Sequence, residues 1–194
     1  YYKNSMPDEI DDFGKKKHKI QDSGTGVDFA ISEEQAADFT AMVTGHKYIL
    51  KEVGEKILVQ PNPVNIQMGF DATLKKATKV NAVQPYGHKW YPEDVGYQKS
   101  ALQTMKRKGF SVYPMKAVSD KKARLEAVAP FIIDGTVMFP QYGCEELIEQ
   151  LVGFGTEEHD DLVDALVYMI MGMLKRRSFK VSERPDKIGS SSKT

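Results

Sequence analysis

Residues 26–59, GVDFAISEEQAADFTAMVTGHKYILKEVGEKILV, decide the architecture. Apolar residues come here in short runs, at Gly26–Ile31, Phe39–Val43 and Tyr48–Val53, with a continuation at Ile57–Val59. The runs are too short for helices, and the polar segment Ser32–Ala37 reads as a turn, so the pattern predicts a hairpin and a third strand. Pro61-Asn-Pro63 ends it. The period then changes. Leu74, Ala77, Val80 and Asn81 recur at helical spacing and predict a helix over Phe70–Val83. A strand at Lys89–Tyr91 precedes a helix from Gly96 to Lys108, stopped by Gly109, and Ser111–Met115 reads as a further strand. A helix over Asp120–Ile133 follows, with Ser119 as its N-cap. Thr136–Phe139 is extended and Glu145–Val152 helical. Asp160–Arg177 places Leu162, Ala165, Leu166, Met169, Ile170 and Met173 on one face of a long amphipathic helix.

Three leading strands in a meander, followed by alternating strands and helices, give an α/β domain with a mixed sheet flanked by helices. That is the order of a ribonuclease-H-like fold. Folds that open with βαβ would not begin with a meander. Residues 1–24 lack sustained periodicity and read as a leader or linker, 25–178 as the domain, and 179–194 as a flexible tail ending Gly189-Ser-Ser-Ser-Lys-Thr194.

Composition narrows the function classes. No apolar run approaches the ~18–20 residues that cross a bilayer, so no membrane partner is expected. A single cysteine, Cys144, excludes an internal disulfide framework and a multi-cysteine zinc site. Net charge is zero, which argues weakly against a nucleic-acid binder. The distribution matters more: basic clusters at Lys106–Lys108, Lys121–Arg124 and Lys175–Arg177 contrast with acids at Glu157–Asp164. Such segregation can surround an acidic pocket with a basic surface. Solvated helix faces explain any single cluster equally well.

The candidate chemistry lies in three acidic positions. Asp28 interrupts the apolar run Gly26-Val-Asp-Phe-Ala-Ile31, where a carboxylate in a central strand is costly unless paired or bound to a cation. An edge strand with Asp28 facing water is the other reading. Glu93 stands at a strand end, where ligands bind in α/β sheets, although an acid there also suits the helix that follows. The third position is His159-Asp-Asp-Leu-Val-Asp-Ala-Leu166. Asp161 and Asp164 share a helix face, and their like charges repel. Asp160 profits from the helix N-terminus, but an acidic N-terminal turn does not explain why the acids run straight into the apolar face. A divalent cation would offset that repulsion. Together the acids suggest an oxygen-ligand site for Mg²⁺ or Mn²⁺. Two such ions ~4 Å apart can activate a water and stabilise the leaving oxygen of a phosphodiester. The chain has no Gly-x-Ser-x-Gly, HExxH or P-loop motif to suggest other chemistry.

These motifs resemble the nuclease domain of the large terminase subunit of tailed bacteriophages. The resemblance rests on Gly26-Val-Asp28-x-Ala30, Asp38-Phe-Thr-Ala41, Glu93-Asp-Val-Gly-Tyr97-Gln98-x-x-Ala101-Leu102, Lys121/Lys122-x-x-Arg124, Gly135-Thr-Val-Met-Phe-Pro140 and the HDDLVDAL segment. It implies a ribonuclease-H-like endonuclease that cuts concatemeric double-stranded viral DNA with two metal ions and little sequence preference. In the resemblance Asp28 is the first-strand acid, Glu93 the acid ending the fourth strand, and Asp161 and Asp164 the acids opening the last helix. Asp160 is then a helix cap or, less favoured, a ligand, and Asp38 a turn residue or an accessory acid. Lys121, Lys122 and Arg124 begin a helix beside the site, as phosphate contacts or as an ordinary basic face. His159 suits the start of the helix better than a general base. Trp90, Phe110 and Phe131 are expected in the core. Pro92, where the family has an apolar residue, predicts a frayed or irregular strand before Glu93, and Phe29 stands where small residues are common.

The implied partners are an N-terminal ATPase domain, the small terminase subunit and the portal, in the host cytoplasm during virion assembly. This chain carries no ATPase motif and is expected to be a nuclease-only portion of such a subunit. Two other readings remain: another enzyme of the fold, such as a junction resolvase or transposase core, and a non-catalytic docking domain of the packaging motor.

Overall fold

The computed structural model describes residues 19–29, 39–50, 54–94, 99–116, 120–155 and 160–179. The elements are β1 (Ile20–Asp28), β2 (Phe39–Leu50), β3 (Gly54–Val59), β4 (Val64–Gln67), α1 (Phe70–Ala82), β5 (Lys89–Pro92), α2 (Lys99–Arg107), β6 (Ser111–Val112), α3 (Lys121–Ile133), β7 (Val137–Met138), α4 (Glu145–Val152) and α5 (Asp161–Phe179). Several expectations fall outside the described residues: the Ser32–Ala37 turn, Asp38, the start of the Gly96 helix, Ser119, His159 and most of the leader and tail.

The strands form one seven-stranded mixed sheet in the order β6-β5-β1-β2-β3-β7, with β4 also on β2. β1 pairs antiparallel with β2 and parallel with β5, so Asp28 ends an interior strand and the edge-strand reading is excluded. The meander is longer and more continuous than its apolar runs suggest. β1 starts at Ile20, inside the expected leader. β2 is a single twelve-residue strand that joins the expected second and third strands. Its Gly45-His46-Lys47 centre lacks the apolar signal yet stays paired to β1, with Gly45 opposite Gly24. β3 and β4 both pair antiparallel with β2, along successive parts of it, and Pro61-Asn62-Pro63 interrupts them. Neither proline can donate to a ladder. Asn62 takes a positive φ of 58° and donates its N–H to the Gly143 carbonyl at 2.6 Å.

Side chains of successive strand residues point to opposite faces, and the sheet is accordingly buried on both. On one face Val27, Met42, Val64, Trp90 and Val112 pack with Leu74 and Ala77 of α1 and Leu102 and Met105 of α2. On the other, Ala41, Val43, Ile57, Val59 and Tyr91 pack under α5, with Val128 of α3 and Leu147 of α4. Trp90 and Phe110 are buried and Phe131 packs against the α5 cluster, as expected of core aromatics. Phe29 is also buried, in the cluster facing α1 and α2.

The burial of α5 extends beyond the expected amphipathic stripe to all sides of the helix. Leu162 through Ile170 are buried without a break, because α3 and α4 cover the side turned away from the sheet. Glycines let this helix lie close. A Cβ at Gly26 would sit 1.9 Å from the Ala165 carbonyl oxygen, and one at Gly172 would sit 2.4 Å from the Tyr91 ring. α3 is capped by Asp120 rather than by Ser119: the Asp120 side chain accepts the Ala123 N–H at 2.8 Å.

Candidate active site

The parallel pairing of β1 with β5 sets Val27 opposite Pro92. Asp28 and Glu93 therefore occupy the next rung, on neighbouring strands about 4.8 Å apart. Val27 faces α1 and α2, so period-two alternation turns both acids to the α5 face. Pro92 lies inside β5, with its carbonyl accepting Met115 N–H at 2.7 Å on the side of the edge strand β6. Its missing donor faces that side too. The β5–β6 ladder accordingly has two paired positions and then a single bridge, Glu93 with Met115, the irregularity that the proline predicts.

α5 brings the remaining acids. Contact at Gly26 seats Ala165 on β1 two residues before Asp28, which sets the first turn of α5 over the strand end. The carboxyl of Asp28 is raised from 3.8 to about 7, first by burial and then by the negative charges of Asp164, Asp161 and Glu93, with Lys121 opposing. Asp28 thus lies within electrostatic reach of the other three predicted acids.

The cations of α3 face this cluster. Arg124 Nη2 donates to Asp164 Oδ1 at 2.9 Å in a buried pair. Lys121 Nζ lies 2.8 Å from Asp164 Oδ2 and 2.6 Å from Asp160 Oδ1, and is about half exposed. Burial works against the charge of Lys121, but its hydrogen bonds to Asp160 and Asp164 outweigh that and hold its pKa above the ordinary value. Arg124 is shifted up in the same way, chiefly by Asp164. Lys122 is exposed and takes part in none of the ion pairs among the described residues. Asp160 precedes α5, its carbonyl accepting the N–H groups of Val163 and Asp164.

Tyr168, one turn beyond Asp164, is a participant the sequence reading missed. Its hydroxyl donates to Glu93 Oε1 at 2.6 Å, and its ring centroid lies 5.4 Å from the Arg124 guanidinium carbon. Burial and then Glu93 push the phenol above its ordinary pKa, so it stays a donor. The only sequence signal was its i+4 spacing from Asp164, hidden within an apolar run.

Among the described residues no three histidine, cysteine or acidic side chains are already gathered as a ligand set. Lys121 and Arg124 instead take both oxygens of Asp164. The donors are nonetheless all carboxylate oxygens, and the acids Asp28, Glu93, Asp160, Asp161 and Asp164 outnumber the cations. Surplus negative charge in a partly buried oxygen-lined site fits a hard divalent cation.

The family described as "Terminase RNaseH-like domain" matches residues 25–172. The chain belongs to this terminase family. A comparison with curated protein sequences gives no significant match. Solved structures similar to this terminase domain include the large terminase nuclease from thermophilic phage G20c with bound zinc, at 15% identity and a TM-score of 0.57, covering 80% of this chain and 81% of that one. The large terminase of a second thermophilic bacteriophage shares 11% identity with a TM-score of 0.59; the match covers 80% of this chain but 40% of that longer one. The large terminase nuclease domain from bacteriophage SPP1 with bound Mn shares 11% identity with a TM-score of 0.54, over 80% and 88%. At these identities the likeness shows the ribonuclease-H-like fold of the terminase domain, as expected from its element order.

Proposed function

We propose that this domain is the divalent-metal-dependent endonuclease of a viral DNA-packaging terminase, hydrolysing concatemeric double-stranded DNA with little sequence preference. The crowding of Asp28, Glu93, Asp161 and Asp164 at the ends of β1 and β5 carries this reading, with the Asp28 carboxyl pushed to about 7 as its clearest sign. Family membership and the metals bound by the G20c and SPP1 nucleases support it. Asp28, Glu93, Asp161 and Asp164 would hold Mg²⁺ or Mn²⁺, and a pair of such ions supplies an activated water and a stabilised leaving oxygen. Arg124 holds Oδ1 of Asp164 in the buried pair and Lys121 holds Oδ2, so Asp164 would have to give up one of these partners to hold the metal. The half-exposed Lys121 and the exposed Lys122 would serve the DNA phosphates.

No helix among the described residues is long and apolar enough to cross a membrane. In the packaging motor the domain would work beside an N-terminal ATPase, with the small subunit and portal as partners, in the host cytoplasm during assembly.

Plasmid cleavage in Mn²⁺ tests the reading. Asp28→Ala and Asp161→Ala should each lower the rate at least about a hundredfold, beyond what loss of an outer partner costs. Unchanged rates would refute the assignment. Preference for a branched junction over linear duplex would instead identify a resolvase.

A further inference from the structure

Tyr168 is 1% exposed, in the middle of the most buried helix of the domain. A phenylalanine would fill that space equally well. The hydroxyl is costly to bury unless it is bonded, and its bond goes to one atom of the site, Glu93 Oε1, at 2.6 Å. The Tyr168 ring also lies against Arg124, which donates to Asp164 at 2.9 Å. Asp164 and Tyr168, four apart, occupy one face of α5. The same helix face thus carries one acid and the group that grips another acid, from β5, with Arg124 touching both arms.

Glu93 needs such a grip. It follows Pro92, beyond the regular β5–β6 ladder; its N–H reaches Val27 at 3.3 Å, and its neighbours Pro92 and Asp94 bond Met115 at 2.7 and 2.8 Å, which fixes the main chain but not the side chain. A glutamate side chain nevertheless has several rotamers to lose when it binds an ion, whatever holds its backbone.

We infer that Tyr168 is the positioning residue of the site: it commits Oε1 of Glu93, so that Oε2 serves the metal from a preset rotamer, and Arg124 ties this arm to Asp164. The inference rests on the reading of Glu93 as a metal ligand. Partners of this kind contribute ~10–100-fold to metal affinity.

The test is Mn²⁺ binding by calorimetry to the 194-residue chain, as wild type, Tyr168→Phe, Glu93→Ala and the double variant, with Tm measured in EDTA. Tyr168→Phe should weaken Mn²⁺ binding about tenfold or more while its Tm in EDTA stays near wild type. Its cleavage should need more Mn²⁺ yet recover as Mn²⁺ saturates. In the Glu93→Ala background the same change should cause no further loss, because the hydroxyl acts only through Glu93. Wild-type affinity in Tyr168→Phe, or losses that simply add in the double variant, would overturn the inference while leaving the metal site standing. If Glu93→Ala binds Mn²⁺ as wild type does, Glu93 is no ligand and the metal-site reading fails with it.

Discussion

β1 and β5 carry a buried polar cluster at each end, and the two clusters are built on opposite principles. At the start of the strands His88 accepts or donates to Ser23 Oγ at 2.7 Å and Thr25 Oγ1 at 2.9 Å, and Thr25 continues to Thr44 Oγ1 at 2.7 Å. Beside them Lys89 pairs with Asp22. Both ring nitrogens have partners, and burial, then His46, lowers His88 from 6.5 to about 3, so the ring stays neutral. At the other end, burial and then the charges of Asp164, Asp161 and Glu93 raise Asp28 to about 7. One end is neutral and satisfied; the other carries charge it does not balance. Buried polarity alone therefore does not mark a site, whereas uncompensated buried charge does.

The largest effect expected at the satisfied end is structural. His88→Ala removes the bond to the Ser23 hydroxyl and one of the two bonds of Thr25, leaving Thr25 with Thr44, and opens a cavity; it should lower unfolding stability by roughly 2–4 kcal/mol in urea titrations. Cleavage per folded molecule should be unchanged; a selective loss of activity would erase the contrast.

Asp28→Asn should do the reverse. It removes a crowded buried charge, so the fold in EDTA should gain stability. It should also abolish the rise in Tm with Mn²⁺, which for wild type corresponds to about 2.7 kcal/mol at a hundredfold excess over Kd. A wild-type Mn²⁺ response in Asp28→Asn would break the assignment.

The two ends also pull in opposite directions with pH. Asp28, raised from 3.8 to about 7, favours the fold most at low pH, and that contribution is lost as pH climbs from about 4 to 7. His88, lowered from 6.5 to about 3, favours the fold above pH 6.5 and progressively less as pH falls toward 3. Between about pH 4 and 6.5 the slopes oppose. In EDTA, Asp28→Asn should leave stability rising with pH, and His88→Gln should leave it falling, as read from urea midpoints. Parallel slopes in the two variants would show that other groups govern this range.

The smallest effect is expected from Lys121→Met. The ammonium is half exposed, so its loss should cost less than about 1 kcal/mol in EDTA. Because Lys121 and an ion would compete for Asp164, apparent Mn²⁺ affinity should rise. A fall would mean that the lysine helps to hold the metal.

Much of this was legible in the residues. The order of elements followed from short apolar runs and later helical spacing, and the α5 acids from their place in a segment that flows into apolar residues. β4 was not legible, because only Val64 of its four residues is buried and Pro61-Asn-Pro63 reads as an end. β2 was broken in the reading by Gly45, whose lack of a side chain leaves room for Met169 of α5. The inward turn of Lys121 and Arg124 depends on how α3 docks against α5, a tertiary fact with no local signature. Tyr168 was hidden because a hydroxyl at the end of an aromatic ring does not disturb an apolar pattern.

The seating of α5 on Gly26 has a consequence for the order in which the protein takes shape. The carboxylates come from residue 28, residue 93 and residues 161–164, far apart along the chain, and α5 follows β1 and β5 in chain order. Synthesis proceeds from the N-terminus and long loops close late. β1 and β5 can pair while α5 is still unmade, but Asp28 then has no partner acids above it. A ribosome-bound chain thus carries no assembled carboxylate cluster until α5 has emerged and settled onto the sheet.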